Sequence, residues 1–121
     1  MTRRELIDYC LTFTAAYEDY PFDEVADDNA TTVIRHRTNK KSFALIMNHG
    51  GKLYLNLKCD SLEADFLRQA FEVVIPGWHM NKEHWNTVIV DTDVPEEEIK
   101  RQIGNSYDLN KPKQKREGRS T

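Results

Sequence analysis

Between residues 31 and 58 apolar and polar side chains alternate with a period of two, through three short runs separated by turn residues. Successive side chains of a strand point to opposite faces, so this pattern fits strands and not a helix. In the first run, about 31–37, Val33, Arg35 and Arg37 fall on one face and Ile34 and His36 on the other. In the second, about 42–48, Phe43, Leu45 and Met47 lie opposite Ala44, Ile46 and Asn48. The third, about 52–58, sends Leu53, Leu55 and Leu57 inward and Lys52, Tyr54, Asn56 and Lys58 outward. Thr38-Asn39-Lys40-Lys41 supplies the first turn. His49-Gly50-Gly51 supplies the second, because glycine accepts the positive φ of a tight hairpin. The expected product is an antiparallel sheet with one dry face and one wet face.

Helical patterns flank this core. Thr2 and Glu5 form a capping box, and Leu6, Cys10, Phe13 and Tyr17 recur at helical spacing, which predicts a helix over about 2–16. Residues 17–30, with Tyr20-Pro21-Phe22 and the acids Asp23, Glu24, Asp27 and Asp28, read as an extended loop whose Tyr20 and Phe22 tuck against the core. Asp60 and Glu63 repeat the capping pattern before a helix carrying Leu62, Phe66, Leu67, Ala70 and Phe71 on its buried side. Pro76-Gly77 marks a stop. The β-branched run from Thr87 to Val90 is a strand, with room for a second short strand in the polar stretch before it. Pro95 and the acids Glu96, Glu97 and Glu98 open a last helix with Ile99, Ile103 and Tyr107 on its core stripe. The order α-β-β-β-α-β(β)-α predicts an α+β fold, a two-layer sandwich of an antiparallel sheet with helices on one side.

A chain of 121 residues suits one domain, 1–110, followed by a basic tail, 111–121, expected to be disordered. No apolar run is long enough to cross a bilayer and no signal core follows Met1, so a cytoplasmic address and no membrane contact are expected. Cys10 and Cys59 form no CxxC pair and read as free thiols, Cys10 as a small core residue. The net charge of -3 conceals segregation. Residues 1–30 hold eight acids and two bases, 31–59 six bases and no acid, 60–110 eleven acids and four bases, and 111–121 five bases and one acid. A local positive field can attract a polyanion even when the total is negative.

The strings Tyr20-Pro21-Phe22, Leu55-Asn56-Leu57-Lys58-Cys59-Asp60, Pro76-Gly77-Trp78-His79-Met80-Asn81-Lys82-Glu83-His84-Trp85-Asn86-Thr87-Val88 and Ser106-Tyr107-Asp108-Leu109, in this element order, resemble the MmcQ/YjbR family. The specific part is the string from His79 to Asn86, and the resemblance runs from the first helix to about residue 110. It implies a small bacterial protein with a two-layer fold compared with frataxin-like and secretion-chaperone-like folds, and a DNA-binding role. It brings no catalytic residues, and likeness of fold carries no iron chemistry across.

Two groups of residues form the candidate nucleic-acid surface. Arg35, Arg37, Lys40, Lys41, Lys52 and Lys58 offer cations to phosphates, with Tyr54 between the last two to stack a base. His79, Asn81, Lys82, His84, Trp85 and Asn86 add imidazoles, an ammonium, carboxamides and an indole. The plainer alternatives are a solvated hairpin for the first, and core anchoring by Trp78 and Trp85 with turn-satisfying asparagines for the second. No metal, cofactor or catalytic set is expected: His79 and His84 are five apart, which suits neither a helix nor a strand. A Cys59–His79–His84 pocket is the residual enzymatic reading. The leading expectation is a non-catalytic, monomeric DNA-binding domain. The runner-up is a protein or small-ligand adaptor using Tyr54, Trp85 and Ile46.

Overall fold

A computed structural model describes residues 1–22, 30–77 and 80–112. Its elements are α1 (Arg3–Leu11), β1 (Ala16–Asp19), β2 (Thr32–His36), β3 (Ser42–His49), β4 (Lys52–Lys58), α2 (Ser61–Ala70), β5 (Val74–Pro76), β6 (Trp85–Ile89) and α3 (Glu96–Asn110). The six strands form one antiparallel sheet in the order β1-β2-β3-β4-β6-β5. Its core is the alternating segment read from the sequence: Ala44 faces Leu57 and Ile46 faces Leu55 across β3–β4, and Gly50 and Gly51 turn the hairpin at φ +57° and +79°.

All three helices cover one face. α1 lies over β1 and β2, α3 over β3 and β4, and α2 over β5 and β6. Leu6, Ile7 and Cys10 of α1, Leu67 of α2, and Ile99 and Ile103 of α3 meet Ile34, Ala44, Ile46, Leu55, Leu57, Val88 and Val74 of the sheet. Phe43 is the extra residue of an irregularity between β2 and β3, where Ile34 pairs with Ala44 but Arg35 with Ser42. It joins an aromatic cluster with Phe13, His36 and Tyr107.

Four expectations change. The first helix stops at Leu11, and Ala16–Asp19 is a strand rather than loop. Ala15 turns the chain at φ +59°, and pairing of Tyr17 with Arg35 and Asp19 with Val33 outweighs the local helical spacing of Phe13 and Tyr17. Phe22 is exposed, whereas Tyr20 is half-buried and donates its hydroxyl to Glu18 Oε2. On α2 the buried side is Ala64 and Leu67, while Leu62 and Phe66 stand 84% and 68% exposed. The spacing 60, 64, 67 faces the sheet because Asp60 caps the helix there and Glu63 reaches α3, meeting Arg101 at 3.1 Å and Asn105 at 2.8 Å. Finally, the helix-free face is not wet at its centre. Val33, Leu45, Asn56 and Thr87 of adjacent strands are all buried. A further strand, β5, precedes the Pro-Gly turn, and β6 starts at Trp85, two residues before the β-branched run.

Candidate nucleic-acid interface

The antiparallel order brings one set of connections to one end of the sheet. The 37–41 turn, the end of β4, residues 80–84 leading into β6 and the C-terminus of α3 all meet there. Hydrogen bonds fix the turn closely. His36 N donates to Lys41 O at 2.9 Å, Lys40 N to His36 O at 2.8 Å, Arg37 N to Ala15 O at 2.7 Å, and Lys41 N to Asn39 Oδ1 at 2.9 Å. Asn39 Nδ2 donates to Asn110 O at 3.0 Å, tying the turn to the end of α3. Lys40 holds φ +61°, a conformation that is easy for glycine and strained for a side chain with a Cβ.

Arg35 acts within this scaffold and is not a free cation. Its Nε meets Asp19 Oδ2 at 2.8 Å and its Nη1 donates to Lys40 O at 3.0 Å, so it braces the turn from the neighbouring strand. Arg37, Lys40 and Lys41 are the exposed cations that the turn presents. Arg37, exposed, sets its guanidinium 5.0 Å from the Tyr17 ring centroid in a cation–π contact. Tyr17, Arg35 and Ser42 pair across β1, β2 and β3 at this end, and Lys58 pairs with Trp85 across β4 and β6. Lys111, next to Asn110, adds a cation at the same end, 3.3 Å from Asp108. Asp60, Glu83 and Asp108 are the exposed acids there among the described residues.

Lys52 and Tyr54 stand apart. They lie toward the opposite end of β4, about 20 Å from Lys58 for Lys52 and about 13 Å for Tyr54 at the rise of a strand, and Tyr54 packs edge-on against His49 at 5.1 Å. Six bases contiguous in sequence are therefore divided between two ends.

The segment from Asn81 to Asn86 is built largely for its own shape. Asn81 Oδ1 accepts from Glu83 N at 3.0 Å, and Lys82 Nζ donates to Gly77 O at 3.0 Å. Asn86 is buried on the helix side, where its Nδ2 donates to Ala64 O at 3.2 Å. With its amide already bonded to Arg68 and to Ala64 O under α2, Asn86 is not offered to a ligand. Arg68 of α2, absent from the sequence reading, holds the segment: Nε donates to Asn86 Oδ1 at 2.6 Å, and Nη2 to the carbonyls of Lys82 and Trp85. Its signal in sequence was only a lone base on an otherwise acidic helix. Trp85 is half-buried and His84 exposed; Trp78 and His79 lie outside the described residues, as do the acids from Asp23 to Asp28 and the tail from Lys113.

The Cys59–His84 neighbourhood is a backbone relation, with Cys59 N donating to His84 O at 2.9 Å. Burial, then Glu63, pushes the Cys59 thiol up to about 11, and the adjoining cavity has a volume of about 10 Å³, room for one water. Among the described residues no three His, Cys, Asp or Glu side chains converge as a metal-ligand set, and no helix is long and apolar enough to cross a membrane. Ile46 of the suggested adaptor patch faces the helices and is fully buried.

The YjbR family model matches residues 11–109. The chain belongs to the YjbR family. Among its curated relatives, YyaQ of Bacillus subtilis (strain 168) is 34% identical over 92% of this chain and 99% of its own length. YjbR of Escherichia coli (strain K12) is 31% identical over 88% of this chain and 85% of its own. Among solved structures, Deinococcus radiodurans protein DR2400, with the DUF419 family domain, superposes with a TM-score of 0.80 at 32% identity, covering 98% of this chain and 86% of that one. A Pseudomonas syringae protein does so with a TM-score of 0.79 at 30% identity, covering 92% and 100%. The YjbR match spans all six strands and α2, begins at the last residue of α1 and ends one residue before the end of α3.

Proposed function

We propose that this YjbR-family chain is a non-catalytic domain that binds DNA mainly through phosphates, using the basic end of its sheet. The observation that carries the reading is the 37–41 turn, whose backbone and Arg35 brace are tied down while Arg37, Lys40 and Lys41 project outward. A preorganised cluster of cations loses little freedom on meeting an anion. The bound strain at Lys40 supports the same reading, because strain tends to persist where a side chain serves a ligand. The raised Cys59 thiol and its water-sized cavity favour binding over nucleophilic chemistry. A duplex titrated into the protein at increasing salt tests the proposal. Log affinity should fall linearly with log salt above about 0.1 M, and Arg37→Ala, Lys40→Ala and Lys41→Ala together should reduce that slope by about three. Salt-independent binding, or none at low salt, overturns it.

A further inference from the structure

Asn56 sits at the centre of the helix-free face, 0% exposed, facing Leu45 on one side and Thr87 on the other. Its Oδ1 accepts from Thr87 Oγ1, but its Nδ2 has no hydrogen-bond partner. A buried amide donor left without an acceptor is destabilising. Around it on the same face are Lys58 two residues along β4, Trp85 opposite Lys58 on β6, and Tyr54 two residues the other way. An unpartnered donor, a half-buried indole and a cation within neighbouring positions match the parts of one nucleotide: a hydrogen-bonding base edge, a π-face and a phosphate.

We infer that this face takes a base from a single-stranded polynucleotide, the base stacking on Trp85 with an acceptor atom on Asn56 Nδ2 while Lys58 meets the adjoining phosphate. The inference rests on the phosphate-binding reading and names its substrate as an unpaired strand. A base edge within a duplex is not free to reach a flat sheet, whereas an unpaired base is. Because Asn56 is shut off in the free protein, engagement requires neighbouring side chains to part.

The experiment compares labelled single-stranded oligonucleotides of each base, in deoxy and ribo forms, with a duplex of equal length, for the wild-type protein, Asn56→Leu and Trp85→Leu. Single strands should bind the wild type about tenfold tighter than duplex, with quenching of tryptophan fluorescence and affinities that depend on the base. Asn56→Leu should abolish the dependence on base and leave duplex binding unchanged. Trp85→Leu should lower single-strand affinity about tenfold, a larger loss than it causes for the duplex. Equal affinity for single strand and duplex in all three proteins overturns this inference and leaves the phosphate reading standing. So does an Asn56→Leu variant that folds and still binds every base as the wild type does. No salt-sensitive binding of any strand overturns both.

Discussion

Lys40 separates stability from function at a single residue. Its positive φ disfavours a β-carbon by about 1–2 kcal/mol, and glycine would relieve that at a cost of about 0.5–1 kcal/mol in unfolded-state freedom. Lys40→Gly should therefore fold at least as stably as the wild type in urea titrations while weakening DNA binding and lowering the salt slope by about one. His36 makes a second case. Its ring is buried against Tyr107 at 4.4 Å and Phe43 at 5.1 Å, with Nε2 3.0 Å from Tyr107 O, so the neutral ring donates there. Burial lowers its pKa below the ordinary 6.5, opposed by the Tyr107 carbonyl, with Lys111 lowering it and Asp108 raising it. The unfolded chain thus takes up this proton more readily than the folded one. Stability should be full above about pH 6.5 and decline as pH falls through that value, by at most about 1.4 kcal/mol per pH unit. Denaturation at pH 7.5 and 5.5 should show the loss in wild type and its absence in His36→Phe. Glu18 and Glu98, held below 4.5 by Arg4 and Arg101, add a separate loss at lower pH. The sequence placed His36 opposite Arg35 and Arg37 correctly, but its partner lies 71 residues away, so its aromatic and carbonyl contacts had no local signature.

At the level of elements, what could be read in advance followed the strength of the local pattern. The β2–β4 meander, the glycine hairpin, the Thr2–Glu5 capping box and the Ile99–Ile103–Tyr107 stripe are local properties, and each holds in the fold. β1 and β5 escaped because short edge strands draw their stability from a neighbour's hydrogen bonds rather than from their own alternation. The α2 stripe misled because Leu62, Phe66, Leu67 and Phe71 define two overlapping helical faces, and only contacts with β5, β6 and α3 choose between them. Leu62→Lys with Phe66→Glu should then shift stability by no more than about 0.5 kcal/mol, whereas Leu67→Ala should cost about 2–5 kcal/mol by leaving a core cavity. Thermal or urea melts of the two proteins distinguish these outcomes. Of the candidate site, the cations were legible but their partners were not: Asp19 reaches Arg35 only through the β1–β2 pairing, and Arg68 reaches the 82–86 segment only because α2 lies across β6.

For the molecule as a whole, the fold converts a linear segregation of charge into two ends. Arg37, Lys40, Lys41, Lys58 and Lys111 gather at one, and Asp91, Asp93 and the first turn of α3 with Glu96, Glu97 and Glu98 at the other, where Met1 N meets Asp91 at 2.5 Å. At about 0.15 M salt the screening length of about 8 Å is well short of the distance between them, so a polyanion at the basic end is insulated from the acids. Near 0.01 M the screening length reaches about 30 Å and the net charge of -3 is felt everywhere. Duplex affinity should therefore level off at low salt instead of continuing its logarithmic rise, as anisotropy titrations down to that concentration can show. The borders of the sheet have a consequence of a different kind. β5 is three residues long and ends in Pro76, which has no amide hydrogen to offer, and β1 is only four residues long and begins just after the kink at Ala15. Neither rim provides a template long enough for an incoming chain to zip onto, so concentrated solutions of the native protein should stay clear and free of fibrils even though the sheet is open on both sides.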